Sequence, residues 1–376
     1  MKTVTLSALA LLIGLGSAFP VLSATPLADR LERPSRLSPF AARAPLTDVE
    51  SIGSRLVMVG SSGHVLLRES DGAVRQAQVP ADILLTAVHF ADTQIGWAVG
   101  HDGVILRTTD GGETWSKQLD GRDISKVMLA WAEAEVARLE EASAAAPDDE
   151  SVLVALDNAH FALDDAKAGS APGPARPLLD VWFRDAREGW AVGAYGIIVH
   201  TRDGGQHWEF VSTLDNPERL HLNTVLGLSD GSLLVAGEGG RLYRSSDNGS
   251  HWLPAEQLTD ASLYKLVPLM DGRLLALGFG GTLLSSQDQG ASWKTIQLPV
   301  PVGLYGATQL RDGSVLLAGQ GGVLMMSTDG QHFQPWQAPD KAALLGVAPV
   351  ESGKLALIGS SGLQVLPLAE IKEQLQ

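Results

Sequence analysis

Short apolar runs separated by glycine-rich turns recur along most of the chain, with a spacing of about forty residues. The clearest copies occupy residues 96–115 (GWAVGHDGVILRTTDGGETW) and 189–208 (GWAVGAYGIIVHTRDGGQHW). In each copy a first apolar run ends at a glycine, a second follows the turn, and the copy closes on Asp-x-Gly-x-x-Trp. Runs rich in β-branched and aromatic residues, joined by turns that need glycine, are typical of antiparallel strands in tight hairpins. The pattern therefore predicts a repeated β-sheet unit.

The glycine that ends the first apolar run of each unit counts the units. It recurs at seven positions: Gly60, Gly100, Gly193, Gly237, Gly278, Gly319 and Gly359. One interval is longer than the others and holds a repeat plus an insertion. Seven such units predict an all-β fold, a seven-bladed β-propeller spanning residues 45–368. Because a closed ring must hide its strand edges, we expect the N-terminal segment 25–44, and residues near Arg36–Thr47 in particular, to help complete the last blade.

Four units end on a complete box in which an aspartate precedes a tryptophan by five residues. We expect the aspartate to accept hydrogen bonds from the amides of the turn, and the tryptophan to pack between strands of its own sheet. The four pairs are Asp110 and Trp115, Asp203 and Trp208, Asp247 and Trp252, and Asp288 and Trp293. All eight residues are assigned a structural role.

The insertion, residues 121–177, differs in composition from the repeats around it. Residues 123–141 are rich in strong helix formers, and residues 150–167 place apolar side chains at helical spacing. A proline and two aspartates separate the two stretches, and a segment rich in glycine and proline returns the chain to the next unit. We predict an antiparallel helical hairpin between blades 2 and 3. It either packs on the rim without further role or forms a docking arm whose apolar contacts are Met128, Trp131 and Leu139.

Residues 1–24 combine Lys2, an apolar core and a stretch of small residues, which is the pattern of a secretory signal peptide. The chain has no cysteine, so neither a lipid anchor on cysteine nor a disulfide is expected. The formal net charge of −15 argues against nucleic-acid binding, because the attraction to phosphate is absent. We predict a periplasmic or secreted protein, monomeric and without a membrane span once the signal is removed.

Repeats with this aspartate box also occur in sialidases, so an enzyme must be considered. A sialidase-type site needs an arginine cluster, a tyrosine nucleophile and acidic partners. Tyr264 and Tyr305 occupy matching positions on innermost strands, where they pack or line the channel, and Asp180 is the chief carboxylate predicted on such a strand. The nine histidines show no paired metal-ligand spacing. We therefore predict no catalytic residue, no metal and no cofactor.

The turns between the second and third strands vary in sequence while their flanks stay alike. Variable turn tips are common in any fold, but seven of them on one face also form a candidate recognition surface. The candidate partner-binding residues on these turns are His101, Asp102, Tyr195, Glu238, Phe279 and Gln320.

The phrase Gly-Trp-Ala-Val-Gly-x-x-Gly followed by Thr-x-Asp-Gly-Gly-x-x-Trp, at residues 96–115 and 189–208, resembles the photosystem II stability and assembly factor family. The resemblance covers about residues 45–366, interrupted by the insertion. It implies an exported, non-catalytic propeller that aids the assembly or stability of a membrane protein complex, with an arginine-rich patch on the ring. The partner is either photosynthetic or another envelope complex, such as an export system. The alternative is a glycan-binding propeller or glycosidase that uses the central channel.

Overall fold

A computed structural model describes residues 29–169, 176–350 and 353–374. The predicted signal peptide, residues 1–24, lies outside the described residues. Within these ranges the chain forms seven antiparallel sheets and three α-helices. Six sheets have four strands and the seventh has three, each in sequence order from the axis outwards. The predicted all-β, seven-bladed propeller with a helical hairpin is confirmed.

The seven blades follow one another along the chain. Blade 1 comprises β1 (Leu46–Ile52), β2 (Arg55–Gly60), β3 (Val65–Arg68) and β4 (Val74–Gln76). Blade 2 comprises β5 (Leu85–Phe90), β6 (Gly96–Gly100), β7 (Ile105–Thr108) and β8 (Ser116–Leu119). Blade 3 comprises β9 (Leu178–Phe183), β10 (Gly189–Gly193), β11 (Ile198–Thr201) and β12 (Glu209–Phe210). Blade 4 comprises β13 (Leu222–Gly227), β14 (Leu233–Gly237), β15 (Leu242–Ser245) and β16 (Leu253–Pro254). Blade 5 comprises β17 (Leu263–Pro268), β18 (Leu274–Gly278), β19 (Leu283–Ser286) and β20 (Lys294–Thr295). Blade 6 comprises β21 (Leu304–Gln309), β22 (Val315–Gly319), β23 (Val323–Ser327) and β24 (Gln334–Gln337). Blade 7 comprises β25 (Leu344–Val350), β26 (Lys354–Gly359) and β27 (Gly362–Pro367).

The innermost strands pack side by side around the axis. Each contacts the innermost strand of the next blade, and β25 of the last blade contacts β1 of the first. The ring therefore closes by packing. The second strand of every blade is almost entirely buried because neighbouring blades cover both of its faces.

The box aspartates hold the turns as expected. Asp110 accepts hydrogen bonds from the backbone N–H of Thr114 at 3.0 Å and from the hydroxyl of Thr108 at 2.8 Å. The equivalent aspartates of blades 3 to 6 repeat this geometry. In blades 3, 4 and 6 a histidine Nδ1 binds the second carboxylate oxygen, at 2.6 to 2.7 Å. These histidines are part of the repeat.

The box tryptophans pack on their own sheet and also reach the preceding blade. Trp115 of blade 2 lies in a core shared with Val57 and Leu67 of blade 1, and its ring meets Phe90 of its own blade edge-on. Trp208, Trp252 and Trp293 are likewise buried in cores that combine their own blade with the preceding one. Each tryptophan therefore packs on its own sheet, as expected, and on the preceding blade as well. The ring is large enough to reach across the blade boundary, where it buries more apolar surface.

The last blade replaces the box with a helix. The helix α3 (Leu368–Gln374) follows β27 directly and buries Ile371 completely, in a core formed by blades 6 and 7. Ile371 thus fills the place between blades that a box aromatic fills elsewhere. The short turn Ala41–Arg43 packs against β27, but residues 29–44 add no strand to blade 7; any other role of segment 25–44 in closing the ring stays a prediction.

The insertion forms two helices, α1 (Gly121–Ala145) and α2 (Glu150–Gly169). They pack against each other through a small core in which Val136, Leu139 and Ala159 are buried. Asp120 caps α1 by accepting a hydrogen bond from the backbone N–H of Arg122. Burial of Asp120 favours its neutral form, but hydrogen bonds from Arg122 and Lys117 outweigh this effect and hold the pKa at about 2.

Removing a box tryptophan should destabilise the ring more than removing its aspartate. We expect Trp293→Ala to lower the free energy of unfolding by about 3 kcal/mol or more, because it empties the core between blades 4 and 5. Asp288→Ala should cost less, because its bonds lie at the solvent-exposed corner of the blade. Urea unfolding monitored by circular dichroism measures both changes. Equal losses would contradict the assignment of the tryptophan as an inter-blade residue.

Candidate functional site

One end of the ring carries the seven turns that join second and third strands, and we call it the tip face. The turns are Ser61–Gly63, His101–Gly103, Ala194–Gly196, Glu238–Gly240, Phe279–Gly281, Gln320–Gly322 and residues 360–361. The middle residue of the first six turns has a left-handed φ, and in three of these it is not glycine. Tyr195 is one of the three, with a φ of 58° and a side chain that is 53% exposed. A non-glycine residue in this region is uncommon, so the backbone holds this ring outward at some conformational cost.

The six residues predicted on these turns all lie at least partly exposed on the tip face. They are His101, Asp102, Tyr195, Glu238, Phe279 and Gln320. Phe279 is 59% exposed, whereas Glu238 is engaged by His221, whose backbone N–H and Nδ1 lie 2.8 and 2.7 Å from its carboxylate. The hydrogen bond from the His221 backbone, followed by that from the His221 ring, lowers the pKa of Glu238. Their role in partner binding stays a prediction.

The helical hairpin begins at the tip face and packs on it. Gly121, the first residue of α1, lies so close to Gly103 that a Cβ on Gly103 would come within 2.8 Å of the Gly121 backbone. Met128 is half-buried against the core of blades 2 and 3, and the ring of Trp131 packs 5.1 Å from that of Phe210. Leu139 is buried between α1 and α2, so it stabilises the hairpin and is not exposed to a partner.

Asp165 of α2 ties the hairpin to the blade 3 region. Its carboxylate pairs with Arg176, at 2.7 Å, and with Arg219. Arg176 lies over the ring of Tyr195 and Arg219 over the ring of Phe161, with the guanidinium carbon 5.7 and 5.0 Å from the ring centre. A cavity of about 130 Å³ opens beside this group. The hairpin and the Tyr195 turn therefore form one continuous surface.

Three carboxylates lie on innermost strands around the axis, and each binds the backbone of the next blade. Asp48 accepts a hydrogen bond from the Val88 N–H at 3.1 Å, and Glu50 accepts one from the Phe90 N–H at 2.9 Å. Asp180 accepts from the Val225 N–H at 3.1 Å. These N–H groups face the channel, where no further strand can pair with them. The carboxylates therefore satisfy donors that would otherwise be left without a protein partner.

Hydroxyl and amide side chains complete the same pattern for carbonyl groups. Thr47 donates to the Leu85 carbonyl, Thr86 to the Leu178 carbonyl and Asn223 to the Leu263 carbonyl, at 2.7 to 2.8 Å. Each donor lies one position after the first residue of its innermost strand, and each acceptor begins the next blade. Both kinds of bond link consecutive blades.

Lys265 of blade 5 balances two of the carboxylates across the axis. Its Nζ lies 3.6 Å from the Asp48 carboxylate and 3.5 Å from the Asp180 carboxylate. Burial lowers the pKa of Lys265, but the charges of Asp180 and Asp48 raise it by more, so the lysine remains protonated. Burial, reinforced by the charge of Asp48, raises the pKa of Glu50 to about 8. Near neutral pH the cluster therefore holds a cationic lysine and a largely protonated Glu50.

Asp48, Asp180 and Lys265 line a cavity of about 270 Å³ on the axis, close to the tip face. Tyr264 and Tyr305 line the same cavity, with ring centres 5.5 Å apart. Sequence reasoning identified Asp180 and both tyrosines but missed Asp48, Glu50 and Lys265. The signal was present, because Leu46–Ile52 aligns with the other innermost strands when the glycine that ends each second strand is used as the reference.

Two kinds of site are absent from residues 29–169, 176–350 and 353–374. No group of three or more histidine, aspartate or glutamate side chains is arranged to hold a metal ion. In the same ranges, no helix has both the length and the apolar character needed to span a membrane.

The fold and these contacts define the chain as a seven-bladed propeller with aspartate boxes, an axial hydrogen-bonded charge cluster and a helical hairpin on its tip face. A family model described as "Photosynthesis system II assembly factor YCF48" matches residues 174–261. The photosystem II assembly lipoprotein Ycf48 of Synechococcus sp. (strain CC9902) is 27% identical over 178 residues, which are 46% of this chain and 37% of that protein. The chloroplastic photosystem II stability/assembly factor HCF136 of Arabidopsis thaliana is 37% identical over 67 residues, 18% of this chain and 16% of that protein. The predicted resemblance to this family of propellers is confirmed.

Solved structures of similar fold include both assembly factors and enzymes. YCF48 bound to a D1 peptide has a TM-score of 0.58 at 18% identity, covering 88% of this chain and 94% of that one. Virginiamycin B lyase of Staphylococcus aureus has a TM-score of 0.63 at 10% identity, covering 89% and 97%. The alignments span 37% of the length of the Synechococcus protein and 16% of the length of the Arabidopsis protein. At these identities the structures show a shared fold, which by itself does not separate a binding protein from an enzyme.

The raised pKa of Glu50 predicts a pH-dependent effect of Glu50→Gln. A carboxyl whose folded-state pKa is raised binds its proton more tightly in the folded protein, so wild-type stability falls as pH rises from the usual value of 4.5 towards about 8. Glutamine keeps an acceptor for the Phe90 N–H and cannot ionise. We expect the variant to match wild type at about pH 4.5 and to be the more stable protein at about pH 9.

Urea unfolding at a series of pH values tests this expectation, with Glu209→Gln as the control. Glu209 lies on the outer strand β12 and pairs with the exposed Arg202. A stability difference for Glu50→Gln that does not grow with pH would contradict the raised pKa and protonated state of the half-buried Glu50.

Proposed function

We propose that this chain is a non-catalytic, exported propeller scaffold that binds a polypeptide of a membrane protein complex and aids the assembly or stability of that complex. The proposal takes its class of partner from relatives named as photosystem II assembly factors. The partner is a photosystem or another envelope complex, such as a transporter, and the site of action is the periplasm. The tip face is the binding surface, with Tyr195 and Phe279 as aromatic anchors beside the hairpin.

The observation that carries the proposal is how the axial groups are used. Asp48, Glu50 and Asp180 each accept a backbone hydrogen bond that joins two blades, and Lys265 lies between the two aspartates. A reacting acid or base must be free to exchange a proton with a substrate. These groups are committed to holding the ring together, so the accessible aromatic side chains of the tip face are the better candidates for function.

The axial cavity also gives the alternative, a glycan-binding or glycosidase function, a definite location. Two tyrosines and two aspartates line it, as a sugar site would require. No arginine is among the described residues that line this cavity, although a sialidase-type site needs several to hold the substrate carboxylate. Burial also raises the pKa of Tyr264, which makes its phenolate a less accessible nucleophile. The scaffold function is therefore the favoured hypothesis.

Affinity capture from envelope extracts, with mass spectrometry, tests the scaffold. The wild-type protein should recover subunits of one membrane protein complex. A double variant, Tyr195→Ala with Phe279→Ala, should weaken binding to that complex at least tenfold, because exposed aromatic anchors dominate such interfaces. A variant in which a short linker replaces residues 121–177 should lose binding while its ring stays folded by circular dichroism.

Leu253→Ala is the matched control, because Leu253 is 70% exposed but lies on the outer strand β16, away from the tip face. It should bind like wild type. Recovery of the same complex by the tip-face variants would contradict the proposed surface. Hydrolysis of aryl sialosides that is lost in Tyr264→Phe would instead support the glycosidase.

A further inference from the structure

The outer edge of the seventh blade is open. In the other six blades a fourth strand covers the third, whereas β27 is the outermost strand of its sheet. Among the described residues it pairs only with β26, from Gly362 opposite Gly359 to Pro367 opposite Lys354. Across the described part of the chain, the side of β27 that faces away from β26 has no strand beside it.

The backbone groups on that side can be identified from the hairpin. A two-residue turn joins β26 to β27, so Gly359 and Gly362 form a hydrogen-bonded pair and the pairs then alternate along the strands. Leu363 and Val365 therefore direct their N–H and C=O groups outwards. Within the described ranges, neither N–H makes a backbone hydrogen bond outside the sheet. Pro367, the next outward position, has no N–H to donate.

The six outer strands of the complete blades are protected against pairing with another chain, and β27 is not. Each of the six contains a charged residue or a proline: Arg75, Lys117, Glu209, Pro254, Lys294 and Pro335. They are two to four residues long, whereas β27 has six residues, no charge and a proline only at its end. Charges, prolines and short length are the usual devices that keep an edge strand from adding a partner strand.

The described segments of the chain do not supply the missing strand. The turn Ala41–Arg43 is not a strand, and it lies against the beginning of β27, where the backbone of Ala42 leaves no room for a Cβ on Gly362. The described chain begins at Asp29, which pairs with Arg122 at the start of α1. Blade 1 therefore lies between Asp29 and β27, so Asp29 is not beside the open edge. At the other end, α3 turns away to bury Ile371 between blades 6 and 7.

We propose that β27 is a docking edge for an extended segment of a partner polypeptide, which adds as the fourth strand of blade 7. The N–H and C=O groups of Leu363 and Val365 bind its backbone, which is the mode of recognition called β-augmentation. The uncharged edge and the net charge of −15 favour a segment that is apolar and uncharged or basic. The inference rests on the proposed function only in taking the partner to be a polypeptide.

A second copy of this chain fits the edge less well. Two copies, each with a net charge of −15, repel one another. A six-residue edge also offers far less contact area than the roughly 1,200 Å² that a stable interface between globular proteins needs. A single extended segment needs only the edge itself.

The test uses a displayed library of random peptides, selected on the purified full chain. Val365→Pro removes one outward N–H while leaving the bonds to β26 in place, because proline is tolerated on an edge where the N–H faces solvent. Val365→Thr keeps that N–H and the branched shape. Calorimetry with a selected peptide should show binding at least tenfold weaker for Val365→Pro and close to wild type for Val365→Thr.

Hydrogen exchange on the wild-type protein gives a second, independent readout. The amides of Leu363 and Val365 should exchange rapidly in the free protein and become protected when the selected peptide is added. If the proline variant does not fold, the hydrogen-exchange measurement alone tests the proposal. Slow exchange in the free protein would show that the chain covers its own edge and would overturn the proposal.

Other outcomes also overturn it. These are the failure to select any peptide above the background of Val365→Pro, equal binding of selected peptides to both variants, and a concentration-dependent dimer that protects the same amides. The tip-face double variant separates this inference from the proposed function. The tip-face double variant should bind the edge peptides as tightly as wild type does. The proposal for the tip face and the proposal for the edge of β27 are therefore tested independently.

Discussion

The ring depends on hydrogen bonds that satisfy the inner edge of each blade. An innermost strand has a ladder partner on one side only, and its other side faces the axis. Unpaired N–H and C=O groups shielded from water are costly, so a propeller needs partners for them. Here Asp48, Asp180 and Glu50 accept from N–H groups of the next blade, while Thr47 and Thr86 donate to carbonyl groups.

This arrangement concentrates charge where water is scarce, and the sequence balances it. Two aspartates near the axis would repel each other, and Lys265 lies within 3.6 Å of both. Glu50 lies 3.6 Å from Nδ1 of His89, whose own pKa is lowered by burial, and burial raises the pKa of Glu50 to about 8. Further out, the box tryptophans bury the boundaries between blades. Polar bonds at the axis and apolar packing at the rim together link each blade to the next.

The repeats predicted the fold well because each is a local signal. A glycine at the end of every second strand and an aspartate–tryptophan box were enough to count blades and place most hairpins. The helical hairpin was also predictable, because its composition differs from that of the repeats. The packing partner of Trp115 was not predictable. Its side chain can reach both its own sheet and the preceding blade, and the sequence does not show which of these it contacts.

The axial cluster was harder to predict for a different reason. Asp48, Asp180 and Lys265 lie on three blades and are separated by more than eighty residues at each step, so their proximity comes only from closure of the ring. The sequence did indicate that the last blade is incomplete, since the N-terminal segment was expected to complete it, but it did not reveal that a helix replaces the box of blade 7 and leaves the edge of β27 open. Burial of Leu139 reflects which side of α1 meets α2, which helical periodicity alone left open.

The most direct test of this account compares Lys265→Met with wild type in two measurements. These are the free energy of unfolding and the capture of the membrane complex. Removing the lysine leaves Asp48 and Asp180 facing each other without a cation. We expect a loss of about 3 kcal/mol in stability, with capture unchanged at temperatures where the variant is folded. A variant as stable as wild type that no longer captures the complex, or that loses a glycoside-hydrolysing activity, would show that the axial residues serve a ligand and not the ring.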